Sequence, residues 1–105
     1  MPSLQAPVAY RTKAATISSA AVAISAAGWS WTAGDVAAAD RAVITVHTQP
    51  AVMTWDGTTP TATVGMYLAA GATVVVSGNK NVQAVQLIRQ GGSDATVSIT
   101  LEKFS

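Results

Sequence analysis

Ala95-Thr96-Val97-Ser98-Ile99-Thr100-Leu101-Glu102-Lys103 is the stretch on which the fold turns. Ala95, Val97, Ile99 and Leu101 alternate with Thr96, Ser98, Thr100 and Glu102. A strict period of two is that of a strand with one buried and one solvated face. Upstream of it, Gln90-Gly91-Gly92-Ser93-Asp94 has the composition of a hairpin loop, and residues 82–89 (VQAVQLIR) read as the strand feeding that loop. Working further back, the turns Gly78-Asn79-Lys80-Asn81 and Ala70-Gly71 bracket residues 73–77 (TVVVS), a third strand. Residues 62–68 form another, reached through the polar loop Thr58-Thr59-Pro60-Thr61.

Residues 51–55 form a strand that ends at Asp56-Gly57, a dipeptide suited to positive φ. Before Pro50, residues 42–48 (AVITVHT) alternate again, with Ala42, Ile44, Val46 and Thr48 on one face and Val43, Thr45 and His47 on the other. Residues 14–27 mix helix-favouring alanines with β-branched Thr16, Ile17, Val22 and Ile24. They read as two short strands around a turn at 18–20. The loop Gly28-Trp29-Ser30-Trp31-Thr32-Ala33-Gly34 follows, and Asp35 is placed to cap a turn of helix over 36–39. Residues 1–13 carry Pro2 and Pro7, which forbid a helix interior, and read as an extended arm outside a domain of residues 14–105. Seven or eight short strands separated by turn signals predict an all-β chain, a single β-sandwich or jelly-roll-like domain with an extended N-terminal arm and at most one short helix.

Composition limits the work such a domain can do. The chain has 105 residues, no cysteine and a net charge of +1. Only 10% of its residues are charged, against ~25% in ordinary soluble domains. A bulk charge this close to zero attracts neither nucleic acid nor an anionic membrane, and no stretch approaches the ~20 apolar residues of a membrane span. The start, Met1-Pro2-Ser3-Leu4-Gln5, has neither the basic nor the apolar segment of a signal peptide. Half the residues are hydrophobic, yet the filler is Ala, Thr, Ser, Gly and Gln. A neutral surface of short side chains suits a protein covered by neighbours.

The candidates for chemistry are sparse. His47 is the single histidine, without the further ligands a metal site needs or the nucleophile and orienting acid of a triad. Gly28-Trp29-Ser30-Trp31 lacks the second glycine of a nucleophile elbow. Asp35, Asp40, Asp56, Asp94 and Glu102 are scattered, with no calcium-loop spacing, and Asp56 and Asp94 stand at turns, where Asp bonds its own backbone. The glycines lack the lysine and helix start of a phosphate loop. Arg11, Lys13, Arg41, Lys80, Arg89 and Lys103 are dispersed and not interleaved with aromatics. No catalytic, cofactor-binding or metal-binding residue is assigned, and the expectation is a non-enzyme with no cofactor. Trp29, Trp31 and Trp55 read as core or corner packing, the loop pair Trp29 and Trp31 equally as interface anchors, and all three as carbohydrate-stacking platforms in a third use.

The run Trp55-Asp56-Gly57-Thr58-Thr59-Pro60-Thr61-Ala62-Thr63-Val64-Gly65-Met66, continued by Ala70-Gly71, a Gly-Asn turn and Val82-Gln83-Ala84-Val85-Gln86-Leu87-Ile88, resembles small virion proteins of tailed bacteriophages. The likeness covers residues 41–103. It implies a β-sandwich or jelly-roll module made in the bacterial host cytoplasm and placed on the capsid surface, where it decorates or cements the major capsid protein. It further implies copies of itself as partners, as a homotrimer, and no partner among nucleic acids or membranes. Pro2, Leu4, Pro7, Val8, Tyr10, Trp29 and Trp31 are then the expected contact residues. The alternatives are a head-fibre base, a tail-tip module binding a receptor or glycan, or a neck connector.

Overall fold

The computed structural model describes residues 7–26, 29 and 31–104. Pro2 and Leu4 of the expected arm lie outside the described residues. Eight strands and two short helices follow in the order β1 (Pro7–Ile17), β2 (Val22–Ala23), α1 (Ala33–Ala37), β3 (Arg41–His47), β4 (Ala51–Thr54), β5 (Met66–Leu68), β6 (Thr73–Ser77), α2 (Asn79–Gln83), β7 (Gln86–Arg89) and β8 (Ala95–Phe104). They form two four-stranded sheets, β1-β8-β3-β6 and β2-β7-β4-β5, in which every pairing is antiparallel. First pairs with last, second with seventh, third with sixth and fourth with fifth. That is a four-paired ribbon rolled over on itself, the jelly-roll arrangement.

The core follows from the alternation in the strands. Ala95, Val97, Ile99 and Leu101 of β8 are fully buried, as are Ala42, Ile44 and Val46 of β3. The two strands run side by side with Ile44 opposite Ile99 and Val46 opposite Val97, so their inward rows form one apolar sheet face. Ile17 of β1 joins them from the same sheet, and Ala51, Met53, Leu87, Ile24 and Trp29 complete the cluster from the facing sheet and its loops.

Three expectations change. The extended reading of residues 7–13 holds, but they belong to the sandwich, because Pro7 to Lys13 pair with Phe104 to Ile99 inside β1. Asp35 does not cap the helix itself. Thr32 is the cap, its hydroxyl accepting from the Asp35 amide at 3.1 Å while the Asp35 carboxylate accepts from the Thr32 amide at 3.1 Å, a reciprocal capping box. Among the described residues there are two short helices instead of one. Residues 79–83 leave the expected turn and strand for α2 because Val82 and Val85 are both fully buried. A spacing of three puts both on one side of a helical turn but on opposite faces of a strand. Asn79 fixes α2 in place, donating from Nδ2 to the carbonyls of Ala37 at 2.9 Å and Ala39 at 2.6 Å.

The loop after β4 folds back as a flap. All four residues of β4 are buried, including Val52 and Thr54, whose side chains point away from the core. Thr54 donates its hydroxyl to the carbonyl of Thr58, Pro60 is buried, and Thr61 and Val64 bond each other reciprocally through their backbones. Gly65, at φ 130°, closes the flap, and a Cβ there would stand 2.6 Å from Val52 Cγ1 and 2.9 Å from the Met53 carbonyl oxygen. Both the backbone angle and the space demand glycine. Gly65→Ala is expected to destabilise the protein by about 2 kcal/mol or more. Gly91→Ala and Gly92→Ala, where nothing lies within 4 Å of the added carbon, should stay within about 0.5 kcal/mol. Urea denaturation of the three variants checks the contrast.

Candidate protein interface

The two sheets present different outer faces. That of β2-β7-β4-β5 is covered over β4 by the flap, whereas that of β1-β8-β3-β6 carries only its own side chains. Register gives their rows. Thr12, Thr100, Val43 and Val75 stand side by side across β1, β8, β3 and β6. Ala14, Ser98, Thr45 and Thr73 form the next row, and Thr16, Thr96 and His47 the third. No charged side chain interrupts these rows. At one end Arg41 and Glu102, opposite each other in register, close an ion pair at 2.6 Å, so this end of the face is also neutral.

Cross-strand hydrogen bonds hold the face level. Thr12 Oγ1 and Thr100 Oγ1 are 3.0 Å apart, Thr45 Oγ1 and Thr73 Oγ1 3.1 Å, and His47 Nε2 and Ser98 Oγ 2.9 Å. Such pairs are the sheet's equivalent of helix-face contacts, worth roughly 0.2–1 kcal/mol each. The His47–Ser98 pair has two of the partners of a nucleophile site. It lies exposed on a flat sheet, and no carboxylate hydrogen-bonds the His47 ring. Among the described residues no group of three or more His, Cys, Asp or Glu is placed to hold a metal ion, and no helix is long and apolar enough to cross a membrane.

A second surface adjoins this face along β6. A cleft of about 400 Å3 opens between the sheets, lined by Met53, Trp55 and Met66 on one side and Val74 to Ser77 on the other. Its floor residue Met53 is fully buried, while Trp55 and Val75 of its lining stand exposed. Val64 in the flap and Tyr67 in β5 are further exposed apolar side chains.

The expected contact residues are scattered by the fold. Trp29 is a core residue, only 1% exposed, and offers nothing to a partner. Trp31 is half-buried and stacks on it, with ring centres 6.1 Å apart and planes 14° from parallel; neither indole N–H has a hydrogen-bond partner. Val8 is exposed. Tyr10, half-buried, donates its hydroxyl to the Asp35 carbonyl and packs under the Lys103 ammonium at 5.1 Å. Burial and the nearby Asp35 and Asp40 carboxylates push its pKa up, so it remains a neutral donor. Pro7 begins β1. Trp55, the third tryptophan, is the accessible one. The neutral face was not assigned from the sequence. Each strand's outward set was readable, but only the strand order places the sets of β8, β3 and β6 side by side.

No family model, curated protein or solved structure matches this chain.

Acrylamide quenching of intrinsic fluorescence is expected to reach Trp55 first. Trp55→Phe should therefore remove most of the quenchable emission and leave a blue-shifted remainder from Trp29 and Trp31. Unchanged quenching in that variant would place the exposed indole elsewhere.

Proposed function

We propose that this chain is a non-enzymatic bacteriophage virion protein that binds the capsid surface and stabilises the shell of the major capsid protein. The observation that carries the reading is the neutral outer face of β1-β8-β3-β6. Covering it removes no unpaired charge from water, which is the costliest part of most protein contacts. Its Thr, Ser, Ala and Val side chains lose little rotamer freedom when held. The one ion pair on it is already closed between Arg41 and Glu102. A weak contact of this kind becomes durable when repeated over a lattice, since each copy holds many neighbours in place. The likeness of residues 41–103 to phage virion proteins supplies the kind of lattice.

The flap sequence that carries most of that likeness has a structural task of its own. It buries Val52, Thr54 and Pro60 and leaves the opposite sheet bare, which supports the neutral face as the working surface. A glycan-binding tip is less well supported, because of the three tryptophans that would stack on sugars, Trp29 is buried and Trp31 half-buried.

Purified particles of the phage that encodes the chain are expected to hold on the order of hundreds of copies each, as symmetric shell coverage requires. Quantitative mass spectrometry of the particles measures this, and a count of about a dozen or fewer would move the protein to the neck or tip. Ser98→Lys and Thr45→Lys, which put charge in the middle of the face, should lower occupancy at least about tenfold, equivalent to ~1.4 kcal/mol per site. The melting temperature of the free protein should change by no more than a few degrees.

A further inference from the structure

The two sheets end in four edge strands, and three are ill-suited to pairing. β1 carries Arg11 and Lys13 and breaks its register between Ala9 and Arg11. β2 is two residues long and β5 three. Charge, bulges and brevity are the usual devices that keep sheet edges apart. β6, Thr73-Val74-Val75-Val76-Ser77, has none of them: five residues without charge, proline or register shift.

Its free backbone groups can be located. The carbonyl of Ala72 accepts from Val46 in β3 and the amide of Gly78 donates to the carbonyl of Asp40. Antiparallel pairing alternates, so Val74 and Val76 also face β3, while the N–H and C=O groups of Thr73, Val75 and Ser77 point outward. Of these, the Ser77 carbonyl accepts from Asn81 Nδ2 at 2.9 Å and retains its second lone pair.

We infer that β6 is a homotypic contact, pairing antiparallel with β6 of a second copy about a two-fold axis through Val75. The strand is its own complement in this register. Val75 exchanges both backbone hydrogen bonds with its mate, and Thr73 does the same with the partner copy's residue 77. On the outer side the hydroxyls of positions 73 and 77 meet across the seam, as Thr45 and Thr73 already do within the chain. On the inner side Val74 faces position 76 of the other copy, over the cleft lined by Met53, Trp55 and Met66. β6 itself carries no charged residue, so no like charges are opposed within the paired strands. The product is one continuous eight-stranded sheet whose neutral face is twice as wide. An isologous edge closes at two copies, in contrast to the trimer that the phage likeness implies. The inference concerns the isolated protein and does not rest on the virion reading.

Sedimentation equilibrium of the full chain tests it. The wild type is expected to associate to twice its 10.6 kDa mass, with a dissociation constant on the order of micromolar, as suits a contact at the small end of interface sizes. Val75→Lys opposes two ammonium groups at the axis and should weaken the dimer at least about tenfold. Ala14→Lys, on the outward side of the distant β1 edge, should not. Amide exchange gives a readout independent of any variant: the Val75 amide, unbonded within one chain, should slow as wild-type concentration rises through the dissociation constant. A wild type that remains monomeric to about 1 mM, forms trimers, dimerises equally well as Val75→Lys, or exchanges Val75 at a concentration-independent rate would overturn the assignment.

Discussion

The structure depends on one strand being wanted on both sides. β8 runs between β1 and β3, and its inward residues Ala95, Val97, Ile99 and Leu101 are all fully buried. A strand in that position must alternate strictly, because a slip of one residue would turn Thr96, Ser98 and Thr100 into the core and four apolar side chains into solvent. With β8 fixed, the registers of β1 and β3 are fixed against it, β6 is fixed against β3, and the inner row of the sheet becomes a level floor for Met53, Leu87 and Trp29. Burying Ile99 and Leu101 alone removes from water side chains worth roughly 1.5–3 kcal/mol each.

The two outer faces reflect a division of labour in the sequence. On the β4 side, a polar-looking segment rich in threonine is structural: Asp56 accepts from the Thr58 amide at 3.0 Å, which holds its carboxyl below the ordinary range, and Thr54, Pro60 and Gly65 lock the flap down. On the β8 side, threonines of the same kind bond only to one another across strands and remain at the surface. Identical residue types thus serve as internal fasteners on one sheet and as surface on the other. The difference lies in what each strand's neighbours leave uncovered.

The strands were legible in the sequence where alternation was clean. β6 was read at its observed bounds, and β8, β3 and β4 within a residue or so at each end. The failures have physical causes. For α2, turn residues and β-branched valines outweighed the three-residue spacing of Val82 and Val85, which marks a helical turn. The shortening of the expected strand at 62–68 to Met66–Leu68 follows from the flap, whose backbone bonds to itself between Thr61 and Val64 before pairing begins. The tryptophans were ambiguous because their placement depends on tertiary packing. Trp29 and Trp31 have the same loop composition around them, yet one fills the core and the other only leans on it. The neutral face was invisible for a related reason: it is assembled from β1, β3, β6 and β8, which are far apart along the chain.

Pairing the opening strand with the closing one also sets the order of events during synthesis. As the chain leaves the ribosome, β1 and β3 emerge with a gap between them that only residues 95–104 can fill. Until then β6 can pair with β3, but β1 has no neighbour and the inward rows of the sheet are open. Nascent chains add residues at about 5–20 per second, so the half-built sheet waits several seconds for its middle strand. Folding of this sandwich therefore completes only once β8 has emerged, rather than building up progressively from β1. For that interval, the few charges and the small polar side chains of the early strands are all that separate one nascent chain from its neighbours on the same message.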